Sequence, residues 1–199
     1  MITAALLGNP NVGKTSLFNS LTGSNQYVGN WAGVTVEKKE GYFENIKIVD
    51  LPGIYAMDTY SNEEKVSKNF LIDGNADVII NIVDASNLNR NLYLTTQLKQ
   101  FSKPIILVLN MMDVAISNGI NIDCEKLGTE LGVTVVPIIA TKKKGIDILK
   151  DLLVKQKFKN ISKAVNTFEF KTEKEAYSFI NDILKKCTTV TKDKFISYT

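Results

Sequence analysis

The chain has 199 residues, of which 44% are apolar and 23% are charged, and its formal net charge is +3. These values are typical of one α/β domain with a small appendage, and so small a net charge does not indicate binding to nucleic acid or to a membrane surface. The absence of histidine excludes histidine-based general bases, metal sites and catalytic triads. Cys124 and Cys187 lack metal-ligand or redox spacing, which favours a reducing, cytoplasmic compartment. No apolar run reaches about 18 residues, so no membrane-spanning helix is predicted.

Short apolar runs alternate with amphipathic segments of helix length, which predicts a three-layer α/β/α fold with a mostly parallel sheet. Six strands are predicted, at Ile2–Leu7, Val36–Phe43, Ile46–Val49, Val78–Val83, Ile105–Leu109 and Thr134–Ile139. Because only Glu44-Asn45 is a tight connection, the second and third strands should form a hairpin, with one antiparallel strand at an edge of the sheet. The crossover helices are predicted near 14–22, 61–73, 87–101, 122–131 and 145–157.

The composition changes near residue 161, where buried-strand patterns stop and Lys, Thr, Ser and Glu become frequent. Apolar residues at helical spacing predict a helix over Glu173–Lys186. We therefore predict a main domain over residues 1–160 and a short helical domain over residues 161–199, which packs on the main domain or on a partner.

The first motif, GNPNVGKTS at residues 8–16, fits G-x-x-x-x-G-K-[ST] and directly follows the first predicted strand, which indicates a P-loop NTPase. In such a loop the backbone N–H groups and the N-terminus of the next helix bind phosphate. Lys14 is predicted to bridge the β- and γ-phosphates, and the Thr15 hydroxyl to bind Mg2+. Nucleotide contacts are predicted for Asn9, Asn11, Val12, Gly13, Lys14, Thr15 and Ser16.

Two further segments are predicted to sense the γ-phosphate. Thr35, with Gly33 and Val34 before it, should reach Mg2+ and the γ-phosphate when GTP is bound. Trp31 lies in the same glycine-flanked loop, which favours a hinge and lid over burial in the core. In the sequence DLPG, Asp50 should contact Mg2+ through water, and Gly53 should donate its N–H to the γ-phosphate.

The base site is predicted from NMMD at residues 110–113. The Asp113 carboxylate can accept two hydrogen bonds from N1 and N2 of guanine, a donor pair that adenine lacks, and Asn110 should tie loops together. Met111 stands where a lysine is frequent and can pack on the base. After the sixth strand, Ala140 and Thr141 are predicted to present a backbone N–H to the guanine carbonyl.

These five motifs, in this order and spacing, resemble the TRAFAC class of GTPases. More narrowly, the chain resembles the N-terminal cytosolic domain of the ferrous iron transport protein B (FeoB) family. The stretches that carry the resemblance are 8–16, GNWAGVTVE at 29–37, DLPGIY at 50–55 and 110–113, with support from 61–64 and 84–92. The resemblance implies a regulatory GTPase domain on the cytoplasmic face of the membrane, joined to a membrane-embedded ferrous iron transport domain outside this chain.

The resemblance extends into the C-terminal part. EAYSFINDIL, at residues 175–184, looks like the last helix of the family's helical domain, which is associated with strengthened GDP binding. Residues 161–172 are too few for the rest of that domain, so a reduced helical domain is expected. The chain is expected to be the soluble part of a longer membrane protein.

The predicted hydrolysis is slow and assisted by K+. Ile54 stands where a Ras-like enzyme has glutamine, and it can neither donate nor accept a side-chain hydrogen bond. Arg90, the only arginine, is interpreted as a surface or loop contact rather than an arginine finger. In related GTPases a K+ ion supplies the missing charge, and Asn11 with backbone carbonyls near Gly29–Trp31 would bind it here. The predicted catalytic residues are Asn11, Lys14, Thr35 and Gly53.

Two other functions stay open from the residues. RNA-directed GTPases of ribosome assembly or tRNA modification share this P-loop, although the chain has no KH-like Gly-x-x-Gly segment, so nucleic acid is not expected as a partner. A nucleotide-binding scaffold without turnover is the third hypothesis. The sequence leaves a homo-oligomer open and shows no iron ligands, so the iron function rests on the resemblance.

Overall fold

The computed structural model describes residues 1–58, 60–160 and 168–191. Its strands are β1 (Ile2–Gly8), β2 (Gln26–Asn30), β3 (Glu37–Phe43), β4 (Ile46–Asp50), β5 (Val78–Asp84), β6 (Ile105–Asn110), β7 (Ile120–Ile122), β8 (Thr134–Pro137) and β9 (Thr188–Val190). Its α-helices are α1 (Lys14–Thr22), α2 (Asn62–Ile72), α3 (Leu88–Leu98), α4 (Met112–Ser117), α5 (Cys124–Leu131), α6 (Ile146–Val154) and α7 (Glu173–Cys187).

Within the described ranges the main sheet has seven strands in the order β2-β3-β4-β1-β5-β6-β8, and β7 pairs with β9 in a small second sheet. The predicted fold class is confirmed, because β3 alone runs against its neighbours and helices cover both faces. The predicted count of six strands is wrong, and β3 is not at the edge. The added edge strand, β2, gives no burial pattern in the sequence, since Tyr27 and Val28 are both exposed.

Side chains of β1 alternate between two apolar cores, one on each face of the sheet. Ala4 and Leu6 belong to the core under α1 and α6, whereas Ala5 and Leu7 belong to the core under α2, α3, α5 and α7. All four side chains are fully buried. A strand with both faces covered holds its C-terminal end rigidly, and that end leads into residues 8–16.

Helix α7 packs on the main sheet side by side with α3 and α5. Ile180 and Ile183 are buried in the same core as α3. The Tyr177 ring stacks on Tyr93 of α3 with centroids 5.2 Å apart, and Asn181 accepts a hydrogen bond from Asn89. The division into residues 1–160 and 161–199 stays a prediction, and residues 161–167 and 192–199 lie outside the described part.

The helix N-termini explain why the predicted boundaries agree well with the structure. Ser61 accepts the Glu64 N–H and Glu64 accepts the Ser61 N–H, a capping box that begins α2. Thr172 caps α7 by accepting the N–H of Glu175, whose side chain in turn accepts the N–H of Lys171. None of the helices in the described ranges combines the length and apolar run required to cross a bilayer.

Candidate nucleotide-binding site

The loop between β1 and α1 forms one wall of a cavity of about 550 Å³. Its backbone turns through left-handed conformations at Asn11 (φ 66°) and Gly13 (φ 89°). Glycine is required at position 13, because a Cβ there would collide with the side-chain nitrogen of Asn110. The predicted site residues that line this cavity are Asn9, Asn11, Gly13, Lys14, Thr15, Ser16, Asn110, Met111, Asp113 and Thr141.

Two predicted contacts, Val12 and Ala140, lie behind the cavity wall, and both are buried. Their backbones are joined through Asn110, whose Nδ2 donates to the Val12 carbonyl at 2.9 Å and whose Oδ1 accepts from the Ala140 N–H at 2.9 Å. Asn110 is itself 4% exposed. One buried amide therefore holds the phosphate loop and the loop after β8 in a single arrangement, the linking role expected from the sequence.

Asp50 ends β4 beside Leu6 of β1, so the parallel register brings its carboxylate to the phosphate loop. There it pairs with the Lys14 ammonium. Burial raises the pKa of Asp50, and the Lys14 charge opposes that shift. The Asp50 carboxylate and the Thr15 hydroxyl are hard oxygen donors next to a helix N-terminus, which fits a Mg2+ ion with phosphate ligands.

The base motif lies at the start of α4, after β6. Met111 adopts a left-handed conformation (φ 61°) and lines the cavity, as does Asp113. Asp113 is not unpaired, since its Oδ2 lies 2.7 Å from the ammonium of Lys142. Lys142 belongs to a run of three lysines at residues 142–144, a pattern typical of a solvated surface, and the local sequence therefore gives no sign of this contact.

The predicted site residues between β2 and β3 do not line the cavity in the described structure. They are Gly29, Trp31, Gly33, Val34 and Thr35. Gly29 belongs to β2, opposite Lys38 of β3, and Thr35 is exposed. The turn between these strands is closed by a 2.9 Å hydrogen bond from the Trp31 N–H to the Val36 carbonyl.

Trp31 is half-buried and packs against the core, so it is less exposed than its glycine-flanked loop suggests, and its role as a lid stays a prediction. Its ring meets Phe70 of α2 edge-on, with centroids 5.6 Å apart, and the ammonium of Lys38 lies 5.0 Å from its centroid. Phe70 supplies an apolar surface close to the loop, so the glycine-flanked tryptophan finds a packing partner that no sequence pattern shows.

The segment after β4 is attached to both the phosphate loop and α3. The Ile54 N–H donates to the Gly8 carbonyl at 3.2 Å, and Gly53 lies next to Pro10. Ile54 is 3% exposed, so its side chain belongs to the core and offers nothing to a water molecule. Farther along, the Met57 N–H donates to the Gln97 side chain at 2.8 Å.

Arg90 lies over the ring of Tyr55, with its Cζ 4.4 Å from the centroid. This agrees with the interpretation of Arg90 as a loop contact.

A larger cavity, of about 800 Å³, lies between α3 and α7. It contains none of the predicted motif residues, so the smaller cavity is the candidate site. Among the described residues no three His, Cys, Asp or Glu side chains lie together as a candidate metal cluster.

Comparisons with known proteins agree with this geometry. The family model described as "Ferrous iron transport protein B" matches residues 2–153. The Fe(2+) transporter FeoB of Salmonella typhimurium is 50% identical over 157 residues, which cover 75% of this chain and 20% of that protein. The corresponding protein of Escherichia coli K12 gives the same identity and coverage. The chain thus spans about a fifth of the length of these curated relatives.

Solved structures extend the similarity to the fold. The cytosolic domain of L. pneumophila FeoB is 38% identical with a TM-score of 0.80, over 94% of this chain and 99% of that one. The cytosolic domain of T. maritima FeoB in its GMPPNP form is 29% identical with a TM-score of 0.83, over 95% and 100%. A GDP-bound variant of S. thermophilus NFeoB is 35% identical with a TM-score of 0.82, over 95% and 100%. The chain belongs to the ferrous iron transport protein B family and contains its N-terminal P-loop GTPase domain.

Proposed function

We propose that this chain binds GTP with Mg2+ and hydrolyses it to GDP and phosphate. The observation that carries the proposal is the convergence of residues from separate loops. Lys14, after β1, and Asp113, after β6, line one cavity, and Asp50 at the end of β4 pairs with Lys14. The carboxyl ends of parallel strands are the usual place for a nucleotide in such a sheet.

The chain's own residues account for binding and orientation. The backbone of the phosphate loop and Lys14 hold the β- and γ-phosphates, and Asp113 accepts the guanine N1 and N2 donors. Mg2+ would be held by Thr15, Thr35 and Asp50, and when bound it neutralises charge on the phosphates. Thr35 reaches this position only after the loop between β2 and β3 moves toward the cavity, and Gly53 then donates its N–H to the γ-phosphate.

We further propose that hydrolysis is slow and stimulated by K+. Ile54 is buried and has no polar group, so water must be oriented without a side chain at that position. Asn11 is exposed at the cavity, and carbonyls from Gly29 to Trp31 would complete a cation site with it. A bound K+ supplies the positive charge that an arginine finger supplies in other GTPases.

The domain is proposed to regulate ferrous iron transport by a membrane-embedded part of a longer polypeptide, at the cytoplasmic face of the membrane. Support comes from the family match and from the fraction of the curated relatives that the chain spans. The same matches do not favour an RNA-directed GTPase. Iron itself is not assigned to any described residue here, and self-association stays a proposal.

Phosphate release from GTP with Mg2+ tests this function, measured in KCl and in NaCl. We expect turnover far below about 10 per second, faster in KCl, with the difference lost in Asn11→Ala. Asn75→Ala, in an exposed turn before β5, is the matched control. Equal rates in the two salts would refute the role of K+. Tight GTP binding without any phosphate release would instead support a scaffold without turnover.

A further inference from the structure

We propose that Asn9 is a positioning residue for Gly53, and that its side-chain Nδ2 donates a hydrogen bond to the Gly53 carbonyl only when GTP is bound. The inference deepens the proposed function and rests on it, since the N–H of Gly53 is the group proposed to contact the γ-phosphate. From the sequence, Asn9 is predicted only as one of several nucleotide contacts in the phosphate loop.

The Asn9 side chain is buried without a protein partner. Asn9 borders the nucleotide cavity and is 3% exposed, yet neither its Nδ2 nor its Oδ1 has a hydrogen bond to the described residues. An asparagine amide carries two donors and an acceptor, and buried polar groups are nearly always paired. An amide that is buried and unpaired in one state therefore points to another state in which it has a partner.

The other buried asparagines show that this situation is particular to Asn9. Three more are buried in the described part of the chain, and each uses both polar atoms of its amide in hydrogen bonds. They are Asn81, Asn91 and Asn110. Asn110 is the most direct comparison, because it borders the same cavity as Asn9 and ties two loops together. Asn9 has the same chemistry and a similar burial, but its bonds are still to be made.

Asn9 lies where the segment after β4 meets the phosphate loop. On one side of it the Ile54 N–H donates to the Gly8 carbonyl at 3.2 Å, and on the other side Gly53 lies next to Pro10. The segment is thus attached to both chain neighbours of Asn9. Among the described residues, the N–H and the carbonyl of Gly53 take part in no hydrogen bond. The unpaired amide and the unpaired glycine backbone therefore lie at the same junction.

Gly53 needs a restraint from outside, because glycine loses more backbone freedom on ordering than any other residue. The γ-phosphate fixes its N–H, and the Asn9 Nδ2 fixes its carbonyl, so that both peptide groups of the residue are oriented. GDP has no γ-phosphate and leaves the N–H without that partner. The bond from Asn9 is therefore made in the GTP complex and not in the GDP complex, and an interaction made in one state alone shifts the equilibrium toward that state.

The size of the effect follows from the strength of one hydrogen bond. A net intramolecular hydrogen bond corresponds to a factor of about two to ten in an equilibrium constant. The Asn9 amide should raise the affinity for GTP relative to GDP by this factor. The backbone N–H of Asn9 stays available to phosphate whichever side chain is present, so the effect belongs to the amide and not to the loop as a whole.

The test compares Asn9→Leu, which keeps the shape of the side chain without its amide, with Asn91→Leu, which removes an amide that is already bonded. Dissociation constants are measured for GDP and for a non-hydrolysable GTP analogue with Mg2+, and stability is measured by urea unfolding without nucleotide. In Asn9→Leu the ratio of the GTP-analogue constant to the GDP constant should rise about two- to tenfold. Asn91→Leu should keep the wild-type ratio and lose more nucleotide-free stability than Asn9→Leu. Asn9→Ala, which has no bulk to disturb the loop, should show the same change in the ratio.

A wild-type ratio in both Asn9→Leu and Asn9→Ala would overturn the inference while leaving the proposed function intact. Equal weakening of GDP and of the GTP analogue would also overturn it, because the side chain would then serve a phosphate that both nucleotides share. A loss of stability in Asn9→Leu as large as in Asn91→Leu would overturn it as well, since the amide would then be bonded without nucleotide. A wild-type protein that binds neither nucleotide would overturn the proposed function together with this inference.

Discussion

The ammonium of Lys14 pairs with Oδ1 of Asp50 beside the phosphate loop, and the two side chains are only 15% and 8% exposed. A charged pair with so little access to water is costly to desolvate, and removal of one partner leaves the other uncompensated. The two residues proposed to hold phosphate and Mg2+ are therefore coupled to each other through the fold. A ligand that separates them must offer each of them a replacement partner.

The first prediction concerns the pH dependence of stability. Burial raises the pKa of Asp50 above its ordinary value, so the folded protein binds more protons than the unfolded chain between the two pKa values. The free energy of unfolding should then fall as the pH rises from the ordinary aspartate pKa through the raised pKa of Asp50 in the folded protein. Asp50→Asn should lack this slope, while its Mg2+-dependent GDP affinity falls at least about tenfold. Urea unfolding across that range measures the slope.

Two results would contradict this account of Asp50. An unchanged pH slope in Asp50→Asn would assign the slope to another titrating group. An unchanged Mg2+ dependence of GDP binding would remove Asp50 from the metal site.

The second prediction separates backbone strain from a steric clash at the phosphate loop. Gly13 (φ 89°) and Gly74 (φ 72°) both have a positive φ, but an added Cβ has open space at Gly74 and meets Asn110 at Gly13. Gly74→Ala should cost about 1–2 kcal/mol, the cost of the backbone conformation alone. Gly13→Ala should cost about 1–3 kcal/mol more, because it breaks the bond from Asn110 to Val12, and it should abolish measurable GDP binding. Equal losses of stability in the two variants, by urea unfolding, would refute the clash.

The third prediction uses Trp31, the single tryptophan, as a reporter of its loop. If Thr35 moves to the cavity with GTP and Mg2+, the ring must leave its edge-on contact with Phe70. A non-hydrolysable GTP analogue with Mg2+ should therefore shift the tryptophan emission to longer wavelength, whereas GDP with a chelator should not. Identical emission spectra in both conditions would mean that the loop keeps its contact with α2.

The fourth prediction asks whether α7 folds together with the main domain. Ile180 is fully buried against α3, whereas Ile148 on α6 is 60% exposed. Ile180→Ala should lower the free energy of unfolding by about 2–5 kcal/mol, and Ile148→Ala by less than about 0.5 kcal/mol. Both variants should unfold in one transition in urea. A separate early transition for Ile180→Ala, with the rest unaffected, would support an independent helical domain beginning near residue 161.

Much of the fold and most of the site follow from local sequence. Buried parallel strands are short apolar runs, and the residues after β1, β4 and β6 must meet at one edge of the sheet, so Lys14, Asp50 and Asp113 could be placed together in advance. Strand β2 could not be predicted, because an exposed edge strand needs no apolar alternation. Helix α4 and strand β7 are too short for a periodic pattern to distinguish them from a loop.

The sequence by itself was enough to predict a guanine-nucleotide site, because the phosphate loop and the base motif are contiguous segments whose function depends on local spacing. Only the tertiary structure decided which side chains those segments meet. Lys142 and Asp113 are 29 residues apart in the sequence. Trp31 contacts Phe70 although β3 and β4 lie between them in the sequence. Such contacts depend on how separate loops are oriented by the sheet and its two cores, and pairwise packing of this kind leaves no periodic trace along the chain.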